Sequence, residues 1–401
     1  MTTQHGLQRI RANQGMCVCW SAKFPLGNPA EIWSAQSKLV RCGMGNADRG
    51  HSSRHDPNGN GYPLVTAVVG SWPKPDWLSS RIHDISGWTV DREWKFQAEE
   101  LKVKQDEATE WAIRQQEATG VDIVSDGEQH RDNYIYYICR RLAGFDFEDR
   151  ARIVSRSGAW TWTAPRIVGP VVSTRASLVD DFRFTRNLTR RQIKVTIPGP
   201  MTISDSAKNE YYRDEVSLAM DLAAAIRKEV WALANAGCEV IQFDEPAFAR
   251  YPQQVYDYGI RALEACFEGI QGITTVVHIC RGYPIEGYAK ANLGSYSLIA
   301  PALAESKVDQ VSIEGSHRPV DPTLLEAFGE KSIIFGLVDV SKPIVETVGD
   351  IELQIRRTLE HIDPDRLAVG LDCGMVFLDP DIARAKLTNL AQAAHRVRED
   401  M

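Results

Sequence analysis

The run Thr274-Thr-Val-Val-His-Ile-Cys280 ends in a histidine and a cysteine two residues apart. On a β-strand that spacing sends both side chains to one face. Imidazole nitrogen and thiolate sulfur are preferred zinc ligands, so the pair reads as half of a metal site. Other β-branched runs also end in residues able to do chemistry: Gly70 and Ser71, Asp126 and Glu128, Asp244 and Glu245, Glu314, Asp339, Asp372 and Cys373. Such groups gathered at strand ends cost stability and are expected of a site. Taken singly, a strand-end cysteine is more often a small buried hydrophobe, and a strand-end aspartate a helix cap. Joint placement changes that balance. His278, Cys280, Glu314 and Cys373 are read as ends of the fifth, sixth and eighth strands, neighbours around a closing barrel. They supply one nitrogen, two sulfurs and one oxygen, a tetrahedral zinc set. Asp244 and Glu245, just before Pro246, are placed to bind a substrate amine or orient a ligand, and for Glu245 a structural ion pair stands beside that reading.

The elements that must position these residues alternate along the chain. Strands are expected at 63–70, 121–127, 192–199, 238–245, 274–280, 309–314, 332–339 and 367–373, each a short β-branched run. Helical patterns fall at 91–119, 213–236, about 288–306, about 348–363 and 380–397, and a hairpin excursion at 145–170 interrupts the rhythm. Eight strand-plus-helix units in about 340 residues are what a (β/α)8 TIM barrel requires, and the chemistry of such barrels sits at the carboxyl ends of the strands.

Residues 1–62 differ from this pattern. They hold seven Lys/Arg against three Asp/Glu, while the remainder is acidic, and the whole chain of 401 residues carries a net charge of −7. The segment is read as a loop-like or partly disordered extension, and the barrel domain as 63–401. Cys17, Cys19, Cys42, His51 and His55 fall in it at no spacing known for a zinc module, and are read as incidental. Charge spread without long basic blocks argues against a nucleic-acid partner. No run has the length of a membrane span and no secretory leader is recognised, so the chain reads as cytoplasmic. Eight scattered cysteines suit reduced thiols better than a disulfide framework.

From about Thr66 onward the sequence resembles the catalytic domain of cobalamin-independent methionine synthases. The matching motifs, in order, are Val69-Gly-Ser-Trp-Pro73, Asp126-Gly-Glu-Gln-His-Arg-Asp132, Gly199-Pro-Met-Thr202, Ile241-Gln-Phe-Asp-Glu-Pro-Ala247, His278-Ile-Cys280, Ser312-Ile-Glu314 and Asp372-Cys-Gly374. The family's other barrel has no counterpart in residues 1–62, so a stand-alone catalytic barrel is expected. The resemblance implies Zn2+ held by His278, Cys280, Glu314 and Cys373. It also implies that Val69, Gly70, Ser71, Glu128 and Asp244 hold the amino-acid part of homocysteine. Asp244 and Glu314 are the catalytic candidates, Glu314 as the ligand that yields to substrate sulfur. The implied chemistry is methyl transfer to a zinc-activated thiolate, giving methionine.

Two positions depart from the family pattern. After Gly-Pro-x-Thr, where the folate-using enzymes carry a tryptophan, this chain reads Met201-Thr-Ile-Ser-Asp-Ser-Ala207. Where they carry a histidine after strand seven, thought to help protonate the leaving group, it reads Val338-Asp-Val-Ser-Lys-Pro343, with Lys342 read as solvated in preference to a substitute cation. Both changes concern the methyl donor, which therefore need not be polyglutamyl methyltetrahydrofolate. A partner protein that delivers the methyl group is compatible with this pattern. Epoxyalkane:coenzyme M transferases are similar in outline and form the alternative, with Arg281 as a candidate cation for a sulfonate. A non-catalytic zinc-binding barrel is the second alternative.

Overall fold

The computed structural model describes residues 63–80, 94–155, 160–282 and 294–401. The extension at 1–62, with its cysteines and histidines, lies outside the described residues, as does the start of the helix expected at 288–306.

Eight short parallel strands close into a barrel. In chain order they are β1 (Val65–Ala67), β2 (Ile123–Val124), β5 (Gln192–Pro198), β7 (Val240–Asp244), β8 (Thr274–Ile279), β9 (Gln310–Glu314), β10 (Ser332–Val338) and β11 (Leu367–Leu371). Each pairs with the next, and β1 closes on β11. The eight strands expected from β-branched runs are all present, each shorter than or equal to its expected span. The excursion is also present and slightly longer than expected: β3 (Leu142–Ser155) and β4 (Trp160–Ser173) form an antiparallel hairpin, and β6 (Lys208–Asn209) adds a third strand to it.

Helices follow the strands on the outside, and their starts and stops are written locally. The helix Ala98–Thr119 ends at Gly120, whose φ of 86° is the left-handed stop that glycine adopts without a Cβ penalty. The helix Glu215–Asn235 is capped by Asp214, which accepts from the Ser217 N–H, and Pro380–Glu399 by Asp379 in the same way. After β9 the unit holds a 3-10 helix, Pro322–Phe328, in place of an α-helix. No helix among the described residues is long and apolar enough to cross a membrane.

The strands sort their side chains by the two-residue period of a pleated chain. Outward residues such as Ile241, Phe243, Val277 and Ile279 join the large core under the helices. Inward residues at the amino ends, Val65, Ala67, Ile123, Val240, Val276, Ile334 and Ala368, form a separate apolar floor. Toward the carboxyl ends the same inward rows turn polar: Val240 leads to Gln242 and Asp244, and Val276 to His278. The chemistry-bearing groups Asp244 and His278 thereby stand at the carboxyl end of the lumen, while Lys194, level with Val240, is a polar exception lower down.

Candidate functional site

His278, Cys280 and Cys373 are all buried, and their ligand atoms lie within 4.8 Å of one another. The set does not arise from adjacent strands, as the sequence suggested, because β10 stands between β9 and β11. The inward position of β10 is Gly336, which has no side chain, so residues meet across the lumen. Ser312 Oγ lies 2.8 Å from His278 Nδ1 and fixes the ring. Nε2 of His278 is buried with no hydrogen-bond partner. Leaving such an atom unsatisfied costs about 1–3 kcal/mol, so an Nε2 aimed beside two thiols fits a metal ligand better than a core histidine.

Glu314 is fully buried close by but stands outside that three-residue cluster. Its Oε2 is 3.7 Å from Arg281 Nε, and the Arg281 guanidinium sits over the Tyr296 ring at 4.5 Å. Tyr296 in turn donates to the Ile279 carbonyl at 2.7 Å. Arg281, the residue after the cysteine ligand, is thus committed to Glu314 and Tyr296.

The five residues expected to hold an amino acid converge beside the cluster. Gly70 packs so closely that a Cβ there would come within 2.9 Å of Glu128 Oε1. The Val69 carbonyl accepts from Gln242 Nε2 at 3.1 Å, and the same nitrogen donates to Asp244 Oδ1 at 2.8 Å. Ser71 touches the loop that carries Cys373: its carbonyl accepts from the Met375 N–H, and a Cβ on Gly374 would lie 2.1 Å from its Oγ. That hydroxyl is buried and unpartnered. Glu128 has φ of 57°, a left-handed conformation costly for a residue with a Cβ. Its N–H is held by Asp126 Oδ1 and its Oε1 accepts from Thr196 Oγ1 at 2.8 Å. Burial pushes the Asp244 carboxyl up to about 7, and the charge of Glu128 adds to the rise while His278 opposes it. Arg131 Nη1 stands 3.5 Å from Glu128 Oε1 and balances part of that charge, and an ammonium group beside both carboxylates would add to it.

Glu245, by contrast, is an anchor. It accepts from the N–H groups of Met201 and Thr202 and from Thr202 Oγ1, at 2.7–3.0 Å, and so caps the helix Pro200–Asp205. Gly199 is required there, since a Cβ would overlap the Glu245 carboxylate. Burial still pushes that carboxyl up to about 8. The other described cysteines, 139, 238 and 266, are free and buried, and burial raises each thiol, Cys238 to about 12. They are small core residues.

Three features escaped the sequence reading of roles. Tyr134 lies near Cys280, Asp244 and Cys373, and burial together with those groups raises its phenol well above the usual value. Asp372, immediately before Cys373, accepts from the backbone N–H groups of Gly315, Ser316 and His317 at 2.9, 2.9 and 2.5 Å. His317 meets Asp339 and Ser341 across two rim loops. Only the strand-end position of Asp339 and Asp372 was a signal in sequence. Lys342 is exposed, as read.

Fold and site together define a (β/α)8 barrel with a thiol-and-imidazole cluster near the buried carboxylates of Glu128 and Asp244 at the carboxyl ends of its strands. The pattern of the cobalamin-independent synthase catalytic domain matches residues 64–396. The chain is 31% identical over 339 residues to a methionine synthase of Sulfurisphaera tokodaii, covering 84% of this chain and 94% of that protein. It is 32% identical over 342 residues to a methionine synthase of Pyrococcus horikoshii, with the same coverage. A solved B12-independent methionine synthase from Shewanella sp. W3-18-1, in complex with selenomethionine, superposes with a TM-score of 0.78 at 34% identity, covering 84% of this chain and 98% of that one. The chain belongs to the cobalamin-independent methionine synthase family, by its catalytic barrel.

Proposed function

We propose that this protein is a zinc-dependent methyltransferase that makes methionine from homocysteine. The observation that carries the reading is the convergence of His278, Cys280 and Cys373, with the orphaned Nε2 of His278, beside the Glu128–Asp244 pair. Homologues named methionine synthase support it. His278, Cys280 and Cys373 would hold zinc, with Glu314 as the fourth, yielding ligand. When bound, zinc lowers the pKa of a thiol so that it is present as thiolate near neutral pH.

The chain's own residues do the rest. Glu128 and Asp244 take the substrate ammonium, and Ser71 fixes the amino acid against the Cys373 loop. Ser312 holds the His278 ring in place. Arg281, whose Nε lies 3.7 Å from Glu314 Oε2, would supply a counter-charge to that carboxylate. The sulfur then attacks the methyl carbon of the donor from a fixed position, with the entropy of encounter already lost in binding. The coenzyme M alternative needs a cation for a sulfonate, and Arg281, its candidate, is already paired.

X-ray absorption at the zinc edge, with and without homocysteine, tests the reading together with methionine production from methylfolate, methylcobalamin and S-methyl donors in parallel. One added sulfur neighbour and methionine from at least one donor are expected. An unchanged sulfur count supports the non-catalytic barrel, and turnover of coenzyme M with an epoxide alone supports the other alternative.

A further inference from the structure

Two loops carry four of the residues proposed to hold the amino acid: Val69, Gly70 and Ser71 follow β1, and Glu128 follows β2. Hydrogen bonds stitch these loops to one another. The Trp72 N–H donates to the Gly127 carbonyl at 3.0 Å, Ser125 Oγ donates to the Gly70 carbonyl, and Gln129 Nε2 donates to the Trp72 carbonyl at 3.2 Å. Lys74 adds a charged stitch, its Nζ donating to the Glu128 carbonyl. That lysine is only 5% exposed, and its amine stands 5.7 Å from the centre of the Trp94 ring. Burying an ammonium group is costly unless it is hydrogen-bonded, so its place against this carbonyl calls for a reason.

The backbone of Glu128 supplies that reason. Gly127 and Glu128 have φ of 65° and 57°, two left-handed residues in succession. Glycine adopts this conformation freely, whereas a residue with a Cβ is strained there and stays only where its surroundings over-determine it. The Glu128 N–H is held by Asp126 Oδ1 at 2.9 Å, and its carbonyl accepts both from the Arg131 N–H at 3.0 Å and from Lys74. The carboxylate is aimed by other groups: Thr196 Oγ1 donates to Oε1 at 2.8 Å, and Arg131 Nη1 donates to that hydroxyl at 3.0 Å. A charged donor holds a carbonyl more firmly than a neutral one. Because Lys74 bonds the backbone and not the carboxylate, it fixes the residue without competing with a substrate cation for it.

We infer that Lys74 is a positioning residue for the substrate ammonium, acting through Glu128. By holding the Glu128 carbonyl it keeps the left-handed turn and sets the separation between the Ser71 loop and the carboxylate opposite. The inference rests on the reading of this site as one for homocysteine. A consequence follows for ligand choice: Lys74 matters to a thiol that carries an ammonium group and is indifferent to one that does not. Its contribution also disappears once Glu128 has lost its charge.

Calorimetric titration of the zinc-loaded protein and its Lys74→Met variant with three thiols tests this. The thiols are homocysteine, 3-aminopropanethiol, which lacks the carboxylate, and 4-mercaptobutanoate, which lacks the ammonium. Far-UV circular dichroism and metal analysis come first, and Lys74→Gln takes the place of the Met variant if that one does not fold. The affinity for the two amines should fall by about 10-fold or more, within the worth of a charge-assisted contact, while that for 4-mercaptobutanoate stays within about twofold. In a Glu128→Gln background, Lys74→Met should change homocysteine affinity by less than about twofold, because both residues act through one contact. Weakening that extends to 4-mercaptobutanoate, unchanged affinity for the amines, or losses that add to those of Glu128→Gln would overturn the inference. A wild-type protein that binds homocysteine no better than 4-mercaptobutanoate would overturn the homocysteine reading beneath it, and the inference with it.

Discussion

The two sides of the barrel mouth differ in how their polar groups are satisfied. On the side of β7, β8 and the Cys373 loop, buried atoms stand without partners: Nε2 of His278 and Oγ of Ser71. On the rim formed by the loops after β9 and β10, Asp372 accepts three N–H groups, and Asp339, Ser341 and His317 bond one another. Each buried polar atom without a partner costs about 1–3 kcal/mol, so such atoms beside a cluster of ligand-type side chains mark a place where a ligand would complete them. On the proposed reading, metal and substrate would complete the first side, whereas the described groups of the second already bond one another.

Cys373→Ser breaks the comparison most severely. It should remove zinc, measured by metal analysis, and lower methionine formation by about 10³-fold or more, while far-UV circular dichroism stays that of the wild-type barrel. Retention of zinc at full stoichiometry would return Cys373 to the class of buried core thiols occupied by Cys238.

Ser312→Ala probes the same side at one remove. Loss of the group that orients His278 should weaken zinc by about 10–100-fold in a chelator competition. Glu128→Gln should leave zinc untouched and raise the KM for homocysteine by about 10–100-fold, the worth of a charge-assisted contact to the ammonium. A change in kcat alone would place Glu128 elsewhere in the reaction.

The smallest effect is expected below the mouth, at Lys194. Its Nζ is buried in the lumen without a hydrogen-bond partner, and burial pushes its pKa down from 10.5 to about 7, against the pull of Asp244. Between those values the unfolded chain binds the proton and the fold does not, so stability rises with pH through that range and is lost as pH falls toward 7. Lys194→Met should flatten that slope in denaturant titrations and change stability at neutral pH by about 1 kcal/mol or less, in the stabilising direction. An unchanged slope would mean the amine is solvated or paired in solution.

Much of this was legible before any coordinates. The eight strands announce themselves because a buried parallel strand needs a β-branched run, and the helix ends because Asp214, Asp379 and Gly120 satisfy local backbone demands. The His-x-Cys pair could be read because a two-residue period fixes which side chains share a face. The hairpin was visible too, but its third strand at 208–209 was not, since two residues carry no periodic signal.

The sequence by itself thus determined the barrel, the rim on which the chemistry lies and the residue types there. Only the tertiary structure decided which of them meet. Cys373 joins His278 and Cys280 across a barrel whose intervening strand carries Gly336. Glu245 turns from the pocket to cap Pro200–Asp205, and Arg281 is claimed by Glu314. His317 reaches Ser341 from a loop 24 positions earlier in the chain. These outcomes depend on barrel closure and on the reach of one side chain past another. No local propensity or spacing encodes such distances, because the chain between the partners does not set them.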